Sequence, residues 1–399
     1  MNICIILALF VRACARAQEV GDVTAVYRWT SIDYDWPHQT MKDEYIRTGK
    51  FLVRNNVITG IKLYRADVYL TVPRWRSGVP STLNRLVTRD GKHVLQAYPS
   101  WEMQEVGDCS ALQYVQSMEI DPNTGYMWII DNGRTNTMES TPQNLCPPKL
   151  IIWDIEKNRE VHRFIFPPDV ASHTSCFLND IVLDYVDGRV AFAYITDTND
   201  AKLYVYDHDR NDAYFFQHPS MRPESPDGTP IDGIAMSPTF DYLFYCPISS
   251  HGLFQIPTTV LRDRHADYGQ HVRRVDTRLS RSDGLTYGQR NLYYGLLDLN
   301  GVARWNISGE GQDPRCLEGV VKTSQQKITS EAVKMRWVDT FGWDEKGYLW
   351  FTANDLSRFM NTAEDGPVMY VWKIFVNESS YLTHARQKPN TNYCSALVG

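Results

Sequence analysis

Residues 118–131 of this chain read Met118-Glu-Ile-Asp-Pro-Asn-Thr-Gly125-Tyr-Met-Trp-Ile-Ile-Asp131. The stretch holds a short apolar strand, a polar turn with Asp, Asn and Gly, and an aromatic-rich strand, the pattern of an antiparallel hairpin. Variants of it return at residues 181–197, 234–245, 285–295 and 341–351, and residues 57–72 form an earlier copy. Successive copies lie roughly 50 to 63 residues apart, as radially repeated four-stranded blades do. The sequence therefore predicts an all-β fold, a six-bladed β-propeller.

The repeats run along the 399 residues without a break, and 43% of the residues are hydrophobic, enough for a large core. We predict a single propeller domain over residues 18–399. Within it, residues 18–50 form a lead-in that helps to close the ring, and residues 318–336 form a loop with at most a short helix. The net charge of −6 gives no electrostatic reason to expect a nucleic-acid partner. No apolar run approaches the ~18 residues that a membrane span requires.

The first 17 residues resemble a secretory signal peptide. Ile3 to Val11 form a short apolar core, and Ala15-Arg16-Ala17 fits the small-x-small cleavage pattern. The alternative is a partly buried N-terminal strand, which is disfavoured because nothing in the segment alternates. We therefore predict a signal peptide over residues 1–17 and an extracellular, secreted protein.

Cysteine usage agrees with secretion. Two of the eight cysteines, Cys4 and Cys14, would leave with the signal peptide. The even number that remains suggests three disulfides in an oxidising compartment, with their pairing left open. These disulfide candidates are Cys109, Cys146, Cys176, Cys246, Cys316 and Cys394. Two Asn-x-Ser sequons, at Asn306 and Asn377, are candidate glycosylation sites.

Polar residues recur where the innermost strand of each blade should begin, next to the propeller axis. The residues predicted to line the axis are Glu102, Asn179, Asp180, Asp232, Asp283, Asp298 and Asn354. Carboxylates and amides around a pore would suit a cation, either an organic amine or Ca²⁺, which takes about 6–8 oxygen ligands. The alternative is structural, because Asp and Asn are turn formers whatever the function.

Other catalytic patterns are missing from the sequence. It contains no H-E-x-x-H, G-x-S-x-G or P-loop motif, and its histidines lack metal-ligand spacing. We therefore predict no cofactor and no metal, with Ca²⁺ as the one ion that the axial oxygens would accept.

Several longer motifs together carry a resemblance, since each alone is weak. They are Tyr98-Pro-Ser-Trp-Glu-Met103, Val115-Gln-Ser-Met-Glu-Ile-Asp121, Cys146-Pro-Pro-Lys-Leu150, Asp232-Gly-Ile-Ala-Met-Ser-Pro238 and Gly347-Tyr-Leu-Trp-Phe351. In this combination the chain resembles the yellow / major royal jelly protein family from about residue 50 to 375. The resemblance implies a secreted, usually glycosylated six-bladed β-propeller. Members act in pigmentation, dopachrome conversion, nutrition or the capture of biogenic amines, and the resemblance implies an amine contact at Asn354.

Four functions follow as hypotheses. The first is a secreted protein that binds a small aromatic or biogenic-amine-like ligand, such as a catechol derivative, in the axial channel, in a pigment or catecholamine pathway. The second is a dopachrome-converting tautomerase in which an axial carboxylate acts as base. The third is a Ca²⁺-dependent lactonase-like hydrolase, and the fourth is a nutritive or structural secreted protein. The residues leave open whether the chain is an enzyme.

Overall fold

The computed structural model describes residues 20–306, 324–361, 368–383 and 385. The predicted signal peptide, Cys4, Cys14, Cys316 and Cys394 lie outside these residues. No helix within them is long and apolar enough to cross a membrane.

The described residues form six four-stranded antiparallel sheets, which confirms the predicted six-bladed β-propeller. The first strand is β1 (Val23–Trp29). Blade 1 contains β2 (Ile61–Tyr64), β3 (Asp67–Thr71), β4 (Leu83–Arg89) and β5 (Lys92–Ala97). Blade 2 contains β6 (Val115–Asp121), β7 (Tyr126–Asp131), β10 (Lys149–Asp154) and β11 (Arg159–Ile165), and a small hairpin of β8 (Arg134–Thr135) and β9 (Gln143–Asn144) lies outside it.

The remaining blades repeat the same order along the chain. Blade 3 contains β12 (Leu178–Val186), β13 (Arg189–Asp197), β14 (Lys202–Asp207) and β15 (Asp212–Phe216). Blade 4 contains β16 (Ile231–Met236), β17 (Tyr242–Pro247), β18 (Gly252–Pro257) and β19 (Arg273–Thr277). Blade 5 contains β20 (Leu285–Tyr287), β21 (Leu292–Leu296), β22 (Gly301–Trp305) and β23 (Gln325–Ser330). Blade 6 contains β24 (Trp337–Trp343), β25 (Tyr348–Asn354) and β26 (Met369–Phe375), with β1 as its outermost strand.

Helices are short and lie in the connections. They are α1 (Gln39–Arg47), α2 (Thr258–Leu261) and α3 (Leu356–Met360). The expectation of a loop or short helix over residues 318–336 is wrong for Gln325–Ser330, which form β23. Its backbone pairs with β22, so the polar residues lie on an outer strand that needs little apolar surface.

The ring closes in two places. The first strand of each blade contacts the first strands of its neighbours, and the contact between β24 and β2 completes the inner circle. At the rim, β1 pairs antiparallel with β26, from Val23 opposite Ile374 to Trp29 opposite Met369. Residues from the lead-in therefore complete the last blade, as predicted, and the sheet edge of blade 6 is covered.

A two-residue irregularity marks the start of the innermost strands. In β12, pairing with β13 skips from Leu178 to Ile181, and β6, β16 and β24 show the same skip. The skipped residues leave the ladder, as in a β-bulge, and contact the neighbouring blades instead. They are Gln116 and Ser117, Asn179 and Asp180, Asp232 and Gly233, and Asp339 and Thr340. This irregularity is what turns polar side chains towards the axis.

Glycine is required where these strands approach one another. A Cβ atom on Gly233 would lie 2.2 Å from the carbonyl oxygen of Asp283. A Cβ atom on Gly284 would lie 2.1 Å from the carbonyl oxygen of Asp339. Such distances are far inside van der Waals contact, so these glycines set the close packing of blades 4, 5 and 6.

The described cysteines correct the disulfide prediction in part. Cys109 and Cys146 form a disulfide that joins the segment before β6 to the segment before β10. Cys176 and Cys246 are instead free, buried thiols. They belong to different blades, and each is packed within a separate apolar cluster, so the expectation of three bridges fails for these two.

Candidate functional site

Four aspartates from four successive blades meet where the innermost strands begin. They are Asp180 of blade 3, Asp232 of blade 4, Asp283 of blade 5 and Asp339 of blade 6, here called the hub carboxylates. Asp232 and Asp339 are buried, each with 3% of its surface exposed. Asp180 and Asp283 lie as deep in the fold but keep some accessible surface, so solvent reaches part of the hub.

Hydrogen bonds link the hub carboxylates of blades 3 to 5 to polar neighbours. The hydroxyl of Ser117 donates to Asp180 at 3.1 Å. The amide nitrogen of Asn179 donates to Asp232, and the hydroxyl of Thr198 donates to the same oxygen at 3.1 Å. Asp283 lies beside Asp232, and each of these two carboxyl groups affects the pKa of the other.

The hub carboxylates of blades 5 and 6 have different partners. The indole nitrogen of Trp337 donates to Asp283 at 2.6 Å. The hydroxyl of Thr340 donates to Asp339 at 3.0 Å, and the amide of Asn354 donates to it at 3.3 Å. Each hub carboxylate is therefore held in place by neutral donors, none of which cancels its charge.

Burial raises the pKa of all four groups, and repulsion between neighbouring carboxylates adds to the shift at Asp232, Asp283 and Asp339. Burial is the main cause at Asp232, whose pKa rises to about 7, and the charges of Asp180 and Asp339 act in the same direction. The pKa values of Asp283 and Asp339 are raised well above the usual range, first by burial and then by the adjacent carboxylates. The hub therefore retains protons near neutral pH.

One cation lies behind the ring. The ammonium group of Lys62 pairs with Glu119 at 3.1 Å, and both side chains are largely buried. Burial raises the pKa of Asp180 and of Glu119, and the charge of Lys62 opposes this shift in both. Lys62 thus acts on Glu119 and Asp180, and the described part of the hub holds more carboxyl groups than cations. A bound cation would favour the ionised forms of these carboxyl groups over the protonated ones.

The end of the axis opposite the hub carboxylates is covered by a C-terminal strap, residues 378–383. Tyr381 accepts a hydrogen bond from the backbone of Leu183 at 2.9 Å, and its hydroxyl lies 3.5 Å from Glu119. Asn123, in the turn between β6 and β7, donates to the carbonyl of Leu382 at 2.9 Å. The strap therefore spans several blades at this end.

Aromatic side chains lie at the same ends of the innermost strands as the hub carboxylates. Phe177 directly precedes β12, and Trp337 begins β24; both are partly buried. Tyr114 is fully buried, packs edge-on against Phe177 with ring centroids 5.9 Å apart, and donates to Gln116 at 3.0 Å. The hub thus combines carboxylates with apolar ring surface.

Asn354 carries an unsatisfied acceptor. Its amide nitrogen donates to the carbonyl of Ile58 at 3.1 Å. Asn132, which follows β7 of blade 2, makes the equivalent hydrogen bond to the carbonyl of Leu178 in blade 3. The two differ at the amide oxygen. That of Asn132 accepts from the Leu178 backbone at 2.6 Å, whereas that of Asn354 is buried and has no hydrogen-bond partner in the part of the chain that the structure describes. A buried acceptor without a donor is unfavourable, so a donor supplied by a ligand would be stabilised there.

The structure brings together five of the seven residues predicted to line the axis, Asn179, Asp180, Asp232, Asp283 and Asn354. Glu102 is exposed in a short 3₁₀ turn beside blade 1. Asp298 pairs with Arg281 at 2.6 Å and accepts from Ser280, within its own loop. Neither contacts a hub carboxylate.

Sequence reasoning missed several residues of the hub. Lys62 and Glu119 occupy equivalent positions, each the second residue after the irregular pair that precedes the regular part of its strand, and in sequence they look like exposed strand charges. Comparing that position across the six copies would have drawn attention to them, whereas Tyr381 offers no such signal. Within the described ranges, no three His, Cys, Asp or Glu side chains are arranged to hold a metal ion.

Comparison with known proteins shows which family the sequence matches. The family model described as "Major royal jelly protein" matches residues 113–369. The chain is 26% identical over 316 residues to "Protein yellow" of Drosophila melanogaster, covering 71% of this chain and 57% of that protein. It is 26% identical over 307 residues to "Major royal jelly protein 1" of Apis mellifera, covering 70% and 69%. A solved structure of a luciferin-regenerating enzyme is similar at 12% identity with a TM-score of 0.49, covering 84% of this chain and 95% of that one.

Proposed function

Because the chain belongs to the major royal jelly protein family, we propose that it is a secreted protein that binds a small aromatic ammonium ligand in its hub. The chain spans little more than half the length of the yellow proteins it matches, so their activities are not carried over whole. The observation that carries the proposal is the excess of carboxylates over cations at the hub, beside partly exposed aromatic rings. A biogenic amine or a catechol derivative has both complementary parts.

The electrostatic part of the proposal rests on Asp180 and Asp283, the two hub carboxylates with accessible surface. An ammonium group about 4 Å from one carboxylate gains roughly 4 kcal/mol of Coulomb energy at an effective dielectric constant of about 20. The gain is opposed by desolvation of the ligand, and Lys62 is already committed to Glu119. A ligand ammonium would therefore stabilise the ionised form of a hub carboxyl group and displace the proton that this group holds in the free protein.

The remaining ligand atoms would meet the aromatic side chains. Trp337 and Phe177 supply ring faces for an aromatic group or for the ammonium itself. The free amide oxygen of Asn354 supplies an acceptor for an N–H or O–H donor. An aliphatic amine would use only part of this arrangement, so we expect aromatic amines to bind more tightly.

Calorimetric titration of the purified full-length chain tests the proposal. We expect serotonin or dopamine to bind, and indole or catechol, which lack the ammonium group, to bind at least about tenfold more weakly. Asp283→Asn should weaken amine binding by a similar factor, because the amide keeps the shape of the side chain but cannot ionise beside the bound ammonium group. Glu345→Gln, which changes an exposed carboxylate in the turn between β24 and β25 and none of the four hub carboxylates, is the matched control. Absence of heat at millimolar amine would reject the proposal.

A second candidate is favoured by one observation. Burial raises the pKa of Asp232 to about 7, which is the property of a general base poised near neutral pH. Such a base would suit a dopachrome-type tautomerisation, in which a proton is removed from one carbon and returned at another site. Conversion of dopachrome that is lost in Asp232→Asn and kept in Glu345→Gln would support it. Binding without turnover would leave the ligand-binding function alone.

A further inference from the structure

A second cavity lies beside blade 1, apart from the hub. Its volume is about 590 Å³, within the range of about 300–1,000 Å³ typical of small-molecule sites. It is lined by residues of the lead-in, of blade 1 and of the segment before β6, among them Asp35, Trp36, Arg85, Gln96 and Trp101. No hub carboxylate lines it, so its ligand would be independent of the axial one.

Two stacked indoles form its apolar part. The rings of Trp36 and Trp101 lie 5.0 Å apart between centroids, at an interplanar angle of 19°. Their N–H groups point into the protein, because Trp36 donates to Asp33 at 2.9 Å and Trp101 donates to the carbonyl of Asp35 at 3.3 Å. Both side chains are only partly buried. What they offer to the cavity is therefore ring surface and not polar atoms.

Planar polar groups form the other part, and their charges are nearly balanced. Arg89 donates to both oxygens of Asp35, at 2.9 and 2.8 Å. Arg85 lies 3.6 Å from Asp67 and donates to the amide oxygen of Gln96 at 2.7 Å. Because Asp35 and Asp67 already have guanidinium partners, the net charge of the cavity lining is limited to that of Glu102 at the rim, unlike the cluster of carboxyl groups at the hub.

We propose that this cavity binds a neutral saccharide of one or two residues. One face of a pyranose ring carries C–H groups and packs on an indole face, while its hydroxyls both donate and accept hydrogen bonds. Gln96, Asp35 and Arg85 offer acceptors and donors around the indoles, and the exposed carboxylate of Glu102 adds another acceptor at the rim. No net charge is needed, which matches the arginine-balanced carboxylates.

Hydrogen bonding at the rim supports an ionised Glu102. A hydrogen bond from the hydroxyl of Ser100 lowers the pKa of Glu102, and a backbone N–H acts in the same direction. Its carboxylate therefore remains an acceptor across the neutral range. Glu102 was expected at the axis, and its position beside Trp101 gives it this different role.

The test is titration of the full-length chain with glucose, N-acetylglucosamine, sucrose and trehalose. Tryptophan fluorescence and saturation-transfer NMR of the sugar C–H protons report binding and contact with the rings. We expect at least one of these sugars to bind at millimolar concentration. Trp101→Phe should retain binding and Trp101→Ala should weaken it at least about tenfold, because only the first keeps an aromatic face.

A second substitution guards against loss of folding, since Trp101 also packs on other aromatic side chains. Glu102→Gln changes one exposed atom and should weaken saccharide binding about fivefold, whereas Glu345→Gln should leave it unchanged. Absence of a response to every sugar would overturn the proposal. So would quenching by choline but not by sugars, because that would identify a cation site.

Discussion

Asp232 shows how a single side chain sets the state of the hub. It is buried, and burial together with the neighbouring carboxylates Asp180 and Asp339 raises its pKa to about 7. In the unfolded chain the same carboxyl would ionise near its ordinary value of 3.8. Between these two pH values the folded protein binds the extra proton, so the contribution of Asp232 to stability falls as the pH rises.

This linkage gives a prediction for Asp232→Asn. Below about pH 4 the Asp232 carboxyl group is largely protonated in both the folded and the unfolded chain, so the variant should melt close to the wild type. As the pH rises towards 7, the wild type should lose stability relative to the variant, which cannot ionise. Thermal melts in steps from pH 4 to 8 measure the difference. A melting difference that stays constant over this range would contradict the assignment.

The asparagines of the two sequons differ in their exposure to solvent. Asn377 is exposed, whereas the side-chain oxygen of Asn306 is buried with no partner among the described residues, and Ser308 of that sequon lies outside them. We expect glycan on Asn377 when the chain is expressed through a secretory pathway. Intact-mass analysis of Asn377→Gln and Asn306→Gln should show the loss of one glycan in the first. Unchanged mass in the first would refute the prediction.

Sequence patterns locate individual hub residues only as far as the repeat specifies them. Asn179, Asp180, Asp232 and Asp283 were predicted because each falls at the same point of a recurring strand. Glu102 and Asp298 fall outside that point, and local partners in their own loops decide where they lie. The position of a side chain in a loop depends on its neighbours in space, and the sequence spacing of the repeat does not predict those neighbours.

Among the strand elements, close approach of β16 and β20 depends on Gly233. We expect Gly233→Ala to lower the free energy of unfolding by about 1–3 kcal/mol, because its methyl group would overlap the carbonyl of Asp283. Gly269→Ala is the control, since its nearest neighbour would be a side-chain atom 3.7 Å away. Urea unfolding measures both. Equal stability of the two variants would contradict the prediction, because it would show that the inner strands move apart enough to accommodate the added methyl group.

Strand β23 illustrates what pattern reasoning loses at the level of elements. Gln325–Ser330 contain one apolar residue, Ile328, so nothing in their composition distinguishes a strand from a loop. The strand exists because β22 offers it a free edge, from Gly301 opposite Ser330 to Trp305 opposite Gln325. The inner strands, by contrast, are buried, and their apolar runs identified them.

For the molecule as a whole, the strap ties separate blades together. Glu378 is buried and accepts hydrogen bonds from the backbone nitrogens of Arg290 and Asn291 and from the hydroxyl of Tyr293, at 2.9, 3.2 and 2.8 Å. It belongs to the segment that follows blade 6, and its partners belong to blade 5. The strap therefore connects blades that are also joined by strand packing.

Removal of that carboxylate should destabilise the whole propeller. Glu378→Ala leaves several buried donors unsatisfied, at a cost of about 1–3 kcal/mol or more. Glu345→Ala, on an exposed turn of blade 6, should change stability by less than about 0.5 kcal/mol. Chemical denaturation of the two variants compares them. A small effect of Glu378→Ala would mean that the contacts of the strap contribute little to the free energy of unfolding of the propeller.

Because β1 pairs with β26, blade 6 can be completed only late in the synthesis of the chain. Arg28 and Tyr370, which hydrogen bond across this sheet, are 342 positions apart in the chain. At a translation rate of about 5–20 residues per second, β1 leaves the ribosome roughly 20 to 70 seconds before its partner exists. During that interval the nascent polypeptide carries an unpaired edge strand, and we expect it to need the protection of a chaperone until synthesis is nearly finished.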